Sequence, residues 1–141
     1  MLNQIKDLEN YMSQAGNAQN QEDYERAYDH FFEELDTLEA KLSKQPFLQG
    51  QEEGPDDRIL YDILVRWDTV YFFAYKLNRN RLADFPGLWR FAKALYHEGH
   101  SWKQKDMEAF KKDYYTRLSG LKNPYHLVPL GPDLSIWEES P

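Results

Sequence analysis

The sequence contains no cysteine among its 141 residues. It can therefore form no disulfide and can supply no thiolate as a nucleophile or as a metal ligand. It also lacks a long apolar run, since none approaches the ~20 residues that a membrane-spanning helix needs. The N-terminus has no basic stretch followed by an apolar one, as a signal peptide would have. We therefore expect a cytoplasmic protein without a membrane partner.

Positive charge is also in short supply. The chain has 17 basic and 24 acidic residues and a net charge of −7. This balance argues against binding to nucleic-acid phosphates or to an anionic membrane surface. Because 41% of the residues are hydrophobic and 16% are aromatic, the chain can still build a sizeable core. We expect one domain over residues 1–141, with no nucleic-acid partner.

Apolar residues recur three and four positions apart along almost the whole chain, which predicts an all-α fold. No segment alternates as a strand would. The tail after Gly120 is rich in proline and contains apolar residues that should pack along the bundle: Leu127, Val128, Leu130, Ile136 and Trp137. We predict a bundle of about five helices with an ordered, extended C-terminal tail. The predicted helices cover residues 2–14, 20–44, 55–77, 86–98 and 107–118.

The predicted helix 55–77 is apolar on more than one face, so it should be the buried central helix, with Trp67 in the core. Arg66 and Asp68 lie two residues apart and cannot face each other on one helix. Each should find a partner elsewhere, because a lone buried charge is costly. A structural network is the favoured role for this pair, and a functional role at a domain interface is the alternative.

Several segments in this order resemble the C-terminal helical domain of the glutathionyl-hydroquinone reductases, the xi-class relatives of the omega glutathione transferases. The segments are FLQG at 47–50, LVRWDTVY at 64–71, RLADFP at 81–86, KKDYY at 111–115 and GPDL at 131–134. Asp57 stands where those proteins place the aspartate of a helix-capping box, with Gly54 in place of the usual threonine. The resemblance implies a glutathione transferase C-terminal-like bundle.

In that family a separate thioredoxin-like domain carries the glutathione site and the reactive cysteine. The resemblance therefore implies that this chain is the domain that binds the hydrophobic substrate. The family removes glutathione from a glutathionylated quinol, and this chain would not be catalytic alone. Glutathione is implied for the intact family, whereas we expect this chain to bind no cofactor. The thioredoxin-like domain is expected to be absent from the chain.

The resemblance also suggests substrate-binding residues. Tyr114 and Tyr115 are the best candidates, because a phenol can hydrogen-bond a quinol oxygen. The alternative is that one of them packs inward and the other lies at the surface. Ser13 occupies the position of a pocket-facing tyrosine in the family, and Tyr11, about 200° further round the helix, would not replace it. Ala74 stands in place of a family histidine, so part of the family's set of substrate-contacting side chains is missing.

Other charged groups give weaker signals. His97 and His100 are spaced as a helical metal pair, but Gly99 breaks the helix between them and two ligands make a weak site. We therefore predict no metal site. A group of lysines near the last helix is expected to be a solvated face: Lys103, Lys105, Lys111 and Lys112.

Two functional hypotheses follow. The first is the substrate-binding half of a glutathionyl-hydroquinone reductase-like enzyme, as a fragment or a split-gene product. The second is a stand-alone, non-catalytic binding module, which the methionine at position 1 and the altered pocket favour. Without the other domain, apolar residues near Leu2, Ile5 and Leu8 would be bared, together with Tyr61 and Leu64 on the central helix. They would bind a second copy, as a homodimer, or a thioredoxin-like domain in trans, or a small aromatic ligand.

Overall fold

The computed structural model describes residues 2–99 and 102–140, and the predicted all-α fold is confirmed. A π-helical turn, Trp67–Tyr71, joins α3 to α4, so that five helical rods result. No strand occurs in the described ranges. The helices are α1 (Leu2–Asn17), α2 (Gln21–Leu42), α3 (Pro55–Arg66), α4 (Phe72–Ala74), α5 (Pro86–Glu98) and α6 (Gln104–Asp113).

The helix ends follow local signals in the sequence. The Asn20 side chain caps α2 by accepting a hydrogen bond from the Asp23 N–H at 2.8 Å. This helix ends at Leu42, two residues before the predicted end. Gly99 ends α5 in the left-handed conformation, with φ of 79°. The first helix is longer than predicted and continues to Asn17.

The Asp57 carboxylate anchors the start of α3. It is fully buried and accepts hydrogen bonds from the Leu48 N–H at 2.9 Å and from the Gly54 N–H at 2.7 Å. Both are charge-assisted bonds near the positive end of the helix dipole, which stabilises a carboxylate. Asp57 therefore ties the turn at 47–50 to α3, although Gly54 itself has no capping side chain.

The central rod consists of α3, the π turn and α4. It differs from the predicted continuous helix 55–77. Its π turn contains a hydrogen bond from the Phe72 N–H to the Trp67 carbonyl, five residues earlier, and the rod ends at Ala74. The extra residue in this turn changes the angular position of everything after it. Trp67 is fully buried, and its indole N–H donates to the Leu77 carbonyl at 2.9 Å.

Asp68 is a buried charge with its own set of partners. Its carboxylate accepts from the Arg81 guanidinium at 2.9 and 3.0 Å and from the Leu82 N–H at 3.0 Å. Arg66 pairs separately, with Asp62 and with Glu9, each at 3.0 Å. The two residues thus connect the central rod to different parts of the bundle.

The tail is ordered and largely extended, but its apolar residues do not all pack along the bundle. Leu127 and Leu130 are 69% and 99% exposed, so the expectation that they pack inward is wrong. The packing comes instead from a 3-10 turn, Leu134–Glu138, which buries Trp137 completely. The Trp137 ring lies against three aromatic rings, those of Tyr61, Trp89 and Tyr96.

Lys111 binds backbone carbonyl groups of the tail segment that precedes this 3-10 turn. We expected it on a solvated face, but it is buried, and its ammonium lies 3.2 Å from the carbonyl oxygens of both Leu130 and Gly131. The Glu108 carboxylate lies 3.4 Å away. Because the lysine binds carbonyl groups rather than side chains, the apolar side chains of this segment can point outward.

Two carboxyl groups meet where the loop before α3 approaches the end of α5. The Arg58 guanidinium lies 2.8 Å from Glu53 and 3.6 Å from Glu98. A hydrogen bond with Glu53, together with burial, raises the pKa of Glu98 to about 7, although Arg58 acts in the opposite direction. Below about pH 7 the Glu98 carboxyl group therefore carries a proton in the folded protein.

The buried tail residue gives one prediction. Trp137→Ala should lower the free energy of unfolding by about 3–5 kcal/mol, the usual cost of removing a buried tryptophan. Leu130→Ala, in the same tail but almost fully exposed, should change it by no more than about 0.5 kcal/mol. Urea denaturation of both variants measures this. Equal effects of the two substitutions would show that the tail is not docked through Trp137.

The carboxyl pair gives a second prediction. Because folding raises the pKa of Glu98, its contribution to stability is complete below the ordinary value of 4.5 and is lost as the pH rises through about 7. In Glu98→Gln, which does not titrate, the melting temperature should therefore decline less than in the wild type between about pH 5 and pH 8. Thermal melts across this range test the difference. The exposed Glu52→Gln is the control, and a wild-type slope in Glu98→Gln would rule out the raised pKa of Glu98.

Candidate ligand-binding site

Four tyrosines come together where both π-helical turns of the described chain meet. Tyr71 is the last residue of the turn in the central rod, and Tyr114 is the first residue of the second turn, Tyr114–Leu118, which continues α6. Tyr75 and Tyr115 complete this tyrosine cluster. Such turns are rare and occur frequently at functional sites.

The four rings have a definite arrangement. Tyr71 and Tyr75 are stacked, with centroids 4.1 Å apart and planes 16° from parallel. Tyr114 meets both rings edge-on, at 5.7 and 6.3 Å, and Tyr115 lies perpendicular to Tyr114 at 5.0 Å. Stacked and edge-to-face pairs are the favourable geometries for aromatic rings. The cluster is therefore a rigid surface.

Gly16 supports the cluster from the end of α1. A Cβ at this position would lie 2.7 Å from three ring carbons of Tyr75, closer than two carbon atoms can approach. Since Tyr71 stacks on Tyr75 as well, the Tyr75 ring is held between the backbone of α1 and the Tyr71 ring. Its two faces are therefore covered.

Burial controls the electrostatics of the phenols. It raises the pKa of Tyr114 to about 12, with further contributions from Tyr75 and Tyr115. It also raises the pKa of Tyr71 and of Tyr115. These phenols are neutral at physiological pH. They can donate hydrogen bonds to a carbonyl or phenol oxygen of a ligand, and they do not act as bases.

The predicted site residues occupy different positions around this cluster. Tyr114 is buried and Tyr115 is half-buried, so Tyr115 is the more accessible of the two. Ser13 is exposed, and its hydroxyl accepts from the Asn17 side chain within α1 at 3.3 Å. It lies one turn before Gly16, near the side of α1 that meets the cluster. Tyr11 stacks on His30 of α2 instead.

Tyr71, Tyr75 and Gly16 belong to this site, although they are not among the residues predicted for it. Tyr71 and Tyr75 are four residues apart, a spacing that places two side chains together on a helix. That spacing was a usable signal, but the apolar periodicity assigned Tyr71 to the core. Gly16 lies beyond the predicted end of the first helix and has no side chain that would indicate a contact with a tyrosine.

The described residues contain no group of three or more side chains that could hold a metal ion. Of the predicted histidine pair, His100 lies outside the described residues, and the His97 ring nitrogen lies 2.7 Å from the Glu139 carbonyl oxygen. Within the same ranges, no helix is both long enough and apolar enough to cross a membrane.

An apolar groove of about 340 Å³ runs between α1 and α3. We call it the α1–α3 groove; it is lined by Leu2, Ile5, Ile59 and Ile63, with Lys6 and Glu9 at its edge. The expectation that Ile5, Leu8, Tyr61 and Leu64 are bared was wrong, because all four are fully buried in the bundle. The exposed apolar surface here is contributed by Leu2 and Ile59 instead.

Comparison with known proteins identifies relatives of this chain. No protein-family model matches the chain. It is 34% identical over 125 residues to the glutathionyl-hydroquinone reductase PcpF of Sphingobium chlorophenolicum, an alignment that covers 89% of this chain and 40% of that protein. The chain thus spans less than half the length of this relative.

Solved structures of glutathione transferases also match the chain. The glutathione-bound YqjG, a glutathione transferase homologue from Escherichia coli K-12, matches 93% of this chain and 43% of its own, with a TM-score of 0.84 and 29% identity. The glutathione S-transferase Xi of Phanerochaete chrysosporium matches 94% of this chain and 46% of its own, with a TM-score of 0.82 and 31% identity.

The fold is therefore that of a glutathione transferase C-terminal helical domain. The family resemblance found in the sequence is also confirmed. The chain is homologous to this domain of the xi-class, omega-like glutathione transferases, which include the glutathionyl-hydroquinone reductases.

The contact between Gly16 and Tyr75 can be tested by a pair of substitutions. In the wild type, Gly16→Ala should destabilise the protein by about 1–3 kcal/mol, because the new Cβ displaces the Tyr75 ring. In a Tyr75→Ala background the same change should be neutral or stabilising by up to about 1 kcal/mol, since alanine is the better helix former. Urea denaturation of the four proteins measures this double-mutant cycle. The same effect in both backgrounds would disprove the contact.

Proposed function

We propose that this chain is the substrate-binding helical domain of a glutathionyl-hydroquinone reductase-like glutathione transferase. The observation that supports this most is the tyrosine cluster at the junction of two π turns, in a chain homologous to those enzymes. The cluster forms one wall of a pocket for an aromatic or quinol ligand. Its neutral phenols donate hydrogen bonds to the ligand's oxygen atoms.

Each member of the cluster has a distinct role in this proposal. The accessible Tyr115 donates to the ligand, while the buried Tyr114 keeps Tyr115 and Tyr71 in position through ring contacts. Ser13 supplies a second hydroxyl at the edge of the site. The shorter reach of serine leaves more room there than the family's tyrosine does.

The chain contributes binding rather than the nucleophile. Removal of glutathione from a glutathionylated quinol requires a thiolate, and the sequence has no cysteine. We propose that a thioredoxin-like domain provides the thiolate and the glutathione site, either in a longer protein or as a separate chain. Its docking surface is the α1–α3 groove, where Leu2 and Ile59 are exposed. Glutathione chemistry of this kind fits a reducing, cytoplasmic environment.

A stand-alone binding module is the second candidate function. It is favoured by a row of exposed apolar side chains on the C-terminal segment: Leu118, Tyr125, Leu127 and Leu130. Large exposed apolar patches commonly mark interfaces. In this case the partner is a second copy of the chain, and sedimentation would show a dimer that Leu127→Ser/Leu130→Ser dissociates.

The proposed function predicts ligand binding without turnover. Binding of menadione, a small quinone, should quench the tryptophan fluorescence of the isolated chain. The isolated chain should not turn over glutathionyl-menadione. Tyr115→Phe should weaken menadione binding by about two- to tenfold, the effect of one lost hydrogen bond.

Tyr125→Phe is the matched control, because Tyr125 is 83% exposed and lies outside the cluster. It should bind menadione as the wild type does. Equal affinities of the wild type and Tyr115→Phe would contradict the assigned role of Tyr115. Turnover by the isolated chain would contradict the division of labour between two domains.

A further inference from the structure

A second concave site lies where α1 ends, α2 begins and the central rod ends. It has a volume of about 370 Å³ and is lined by backbone and by small and polar residues. We call it the lysine groove, after five residues that define it: Gly16, Tyr24, Tyr75, Lys76 and Lys122. It shares only the Tyr75 edge and the Gly16 backbone with the tyrosine cluster.

The charge of the lysine groove is opposite to that of the protein. The chain carries a net charge of −7, yet among the described residues the charged ones that line the groove are Lys76 and Lys122, without an aspartate or glutamate. Glu22 and Asp23, in the adjacent first turn of α2, are paired with Arg26 at 3.2 and 3.1 Å. The groove is therefore a local positive site that favours an anion.

Lys122 is held in place at the groove by α1. Its ammonium donates to the Gly16 carbonyl at 3.1 Å, one of the carbonyl groups that a helix end leaves without an intrahelical partner. An ammonium has three donors, so this bond positions the cation and leaves others for a ligand.

Lys76 is held there by an unusual backbone conformation. Its φ is 58°, in the left-handed region, which among the described non-glycine residues only His126 shares. The Tyr24 hydroxyl donates to the Lys76 carbonyl at 2.5 Å and so fixes this conformation. Glycine would adopt it without strain, whereas a lysine adds a long cation at a conformational cost. Strained residues of this kind cluster at binding sites.

We propose that the lysine groove binds a small organic anion, a carboxylate or sulfonate carried on a compact apolar body. The acid group pairs with Lys76 and Lys122, and the body lies against Tyr24 and the edge of Tyr75. The volume is within the range of small-molecule sites. The inference stands whether or not the tyrosine cluster binds a quinol.

Two naphthalene probes of similar shape test the proposal. 8-Anilinonaphthalene-1-sulfonate carries the acid group, and N-phenyl-1-naphthylamine is the same ring system without it. The Lys76→Gln/Lys122→Gln variant should bind the sulfonate about fivefold more weakly, the combined effect of two partly exposed ion pairs. Its affinity for the uncharged probe should not change. Fluorescence titration measures both affinities.

Three further variants make the test specific. Lys105→Gln/Lys112→Gln, which removes two exposed lysines elsewhere, should bind the sulfonate as the wild type does, and so should Tyr115→Phe. Lys76→Gly should raise the melting temperature, because it relieves the strained backbone, and should still weaken sulfonate binding.

Several results would overturn the proposal. The first is an equal loss of affinity for the sulfonate in Lys76→Gln/Lys122→Gln and in Lys105→Gln/Lys112→Gln. The second is a parallel loss of affinity for the uncharged probe in Lys76→Gln/Lys122→Gln. The third is unchanged sulfonate binding in Lys76→Gly. Loss of menadione binding in Tyr115→Phe without loss of sulfonate binding separates this groove from the tyrosine cluster.

Discussion

The buried carboxylate of Asp68 is the interaction on which the middle of the bundle depends. A charge in this position is tolerated only because Arg81 and the Leu82 N–H supply three hydrogen bonds. These bonds fasten the segment after the central rod to the π turn itself. The same segment leads into α5, whose first N–H groups, from Gly87 and Leu88, are bound by the Glu39 carboxylate of α2 at 2.9 and 2.8 Å.

The tyrosine cluster is a consequence of this arrangement. Asp68 faces the segment at 81–82, while Tyr71, in the same π turn as Asp68, faces Phe110 of α6 and Tyr114 of the second π turn. The turn thus serves two sides of the bundle at once. Gly16 completes the arrangement from α1. The candidate site is therefore built from three rods, with Tyr75 as the residue that directly follows the central rod.

The sequence predicts much of this fold for identifiable reasons. Apolar spacing and capping residues such as Asn20 and Gly99 act locally, so the helices and their ends could be recognised. The π turn could not, because residues 55–77 are apolar on several faces and their pattern does not fix a helical phase. Lys111 was misjudged for a similar reason: its partners are backbone carbonyls, which leave no trace in the side-chain pattern. The pairing of Tyr114 with Tyr71 likewise depends on tertiary geometry.

The π turn at Trp67–Tyr71 also makes chain length a constraint of its own. It accommodates one residue more than an α-helical turn would, so removal of any single residue there restores an ordinary helix. Five residues of a π turn advance about as far round the rod axis as four residues of an α-helix, so the side chains of α4 would keep their direction. The π turn is thus a stretch of the central rod that can lose one residue and still present Tyr75 to Gly16, whereas a deletion within α3 would turn every later side chain by about 100°.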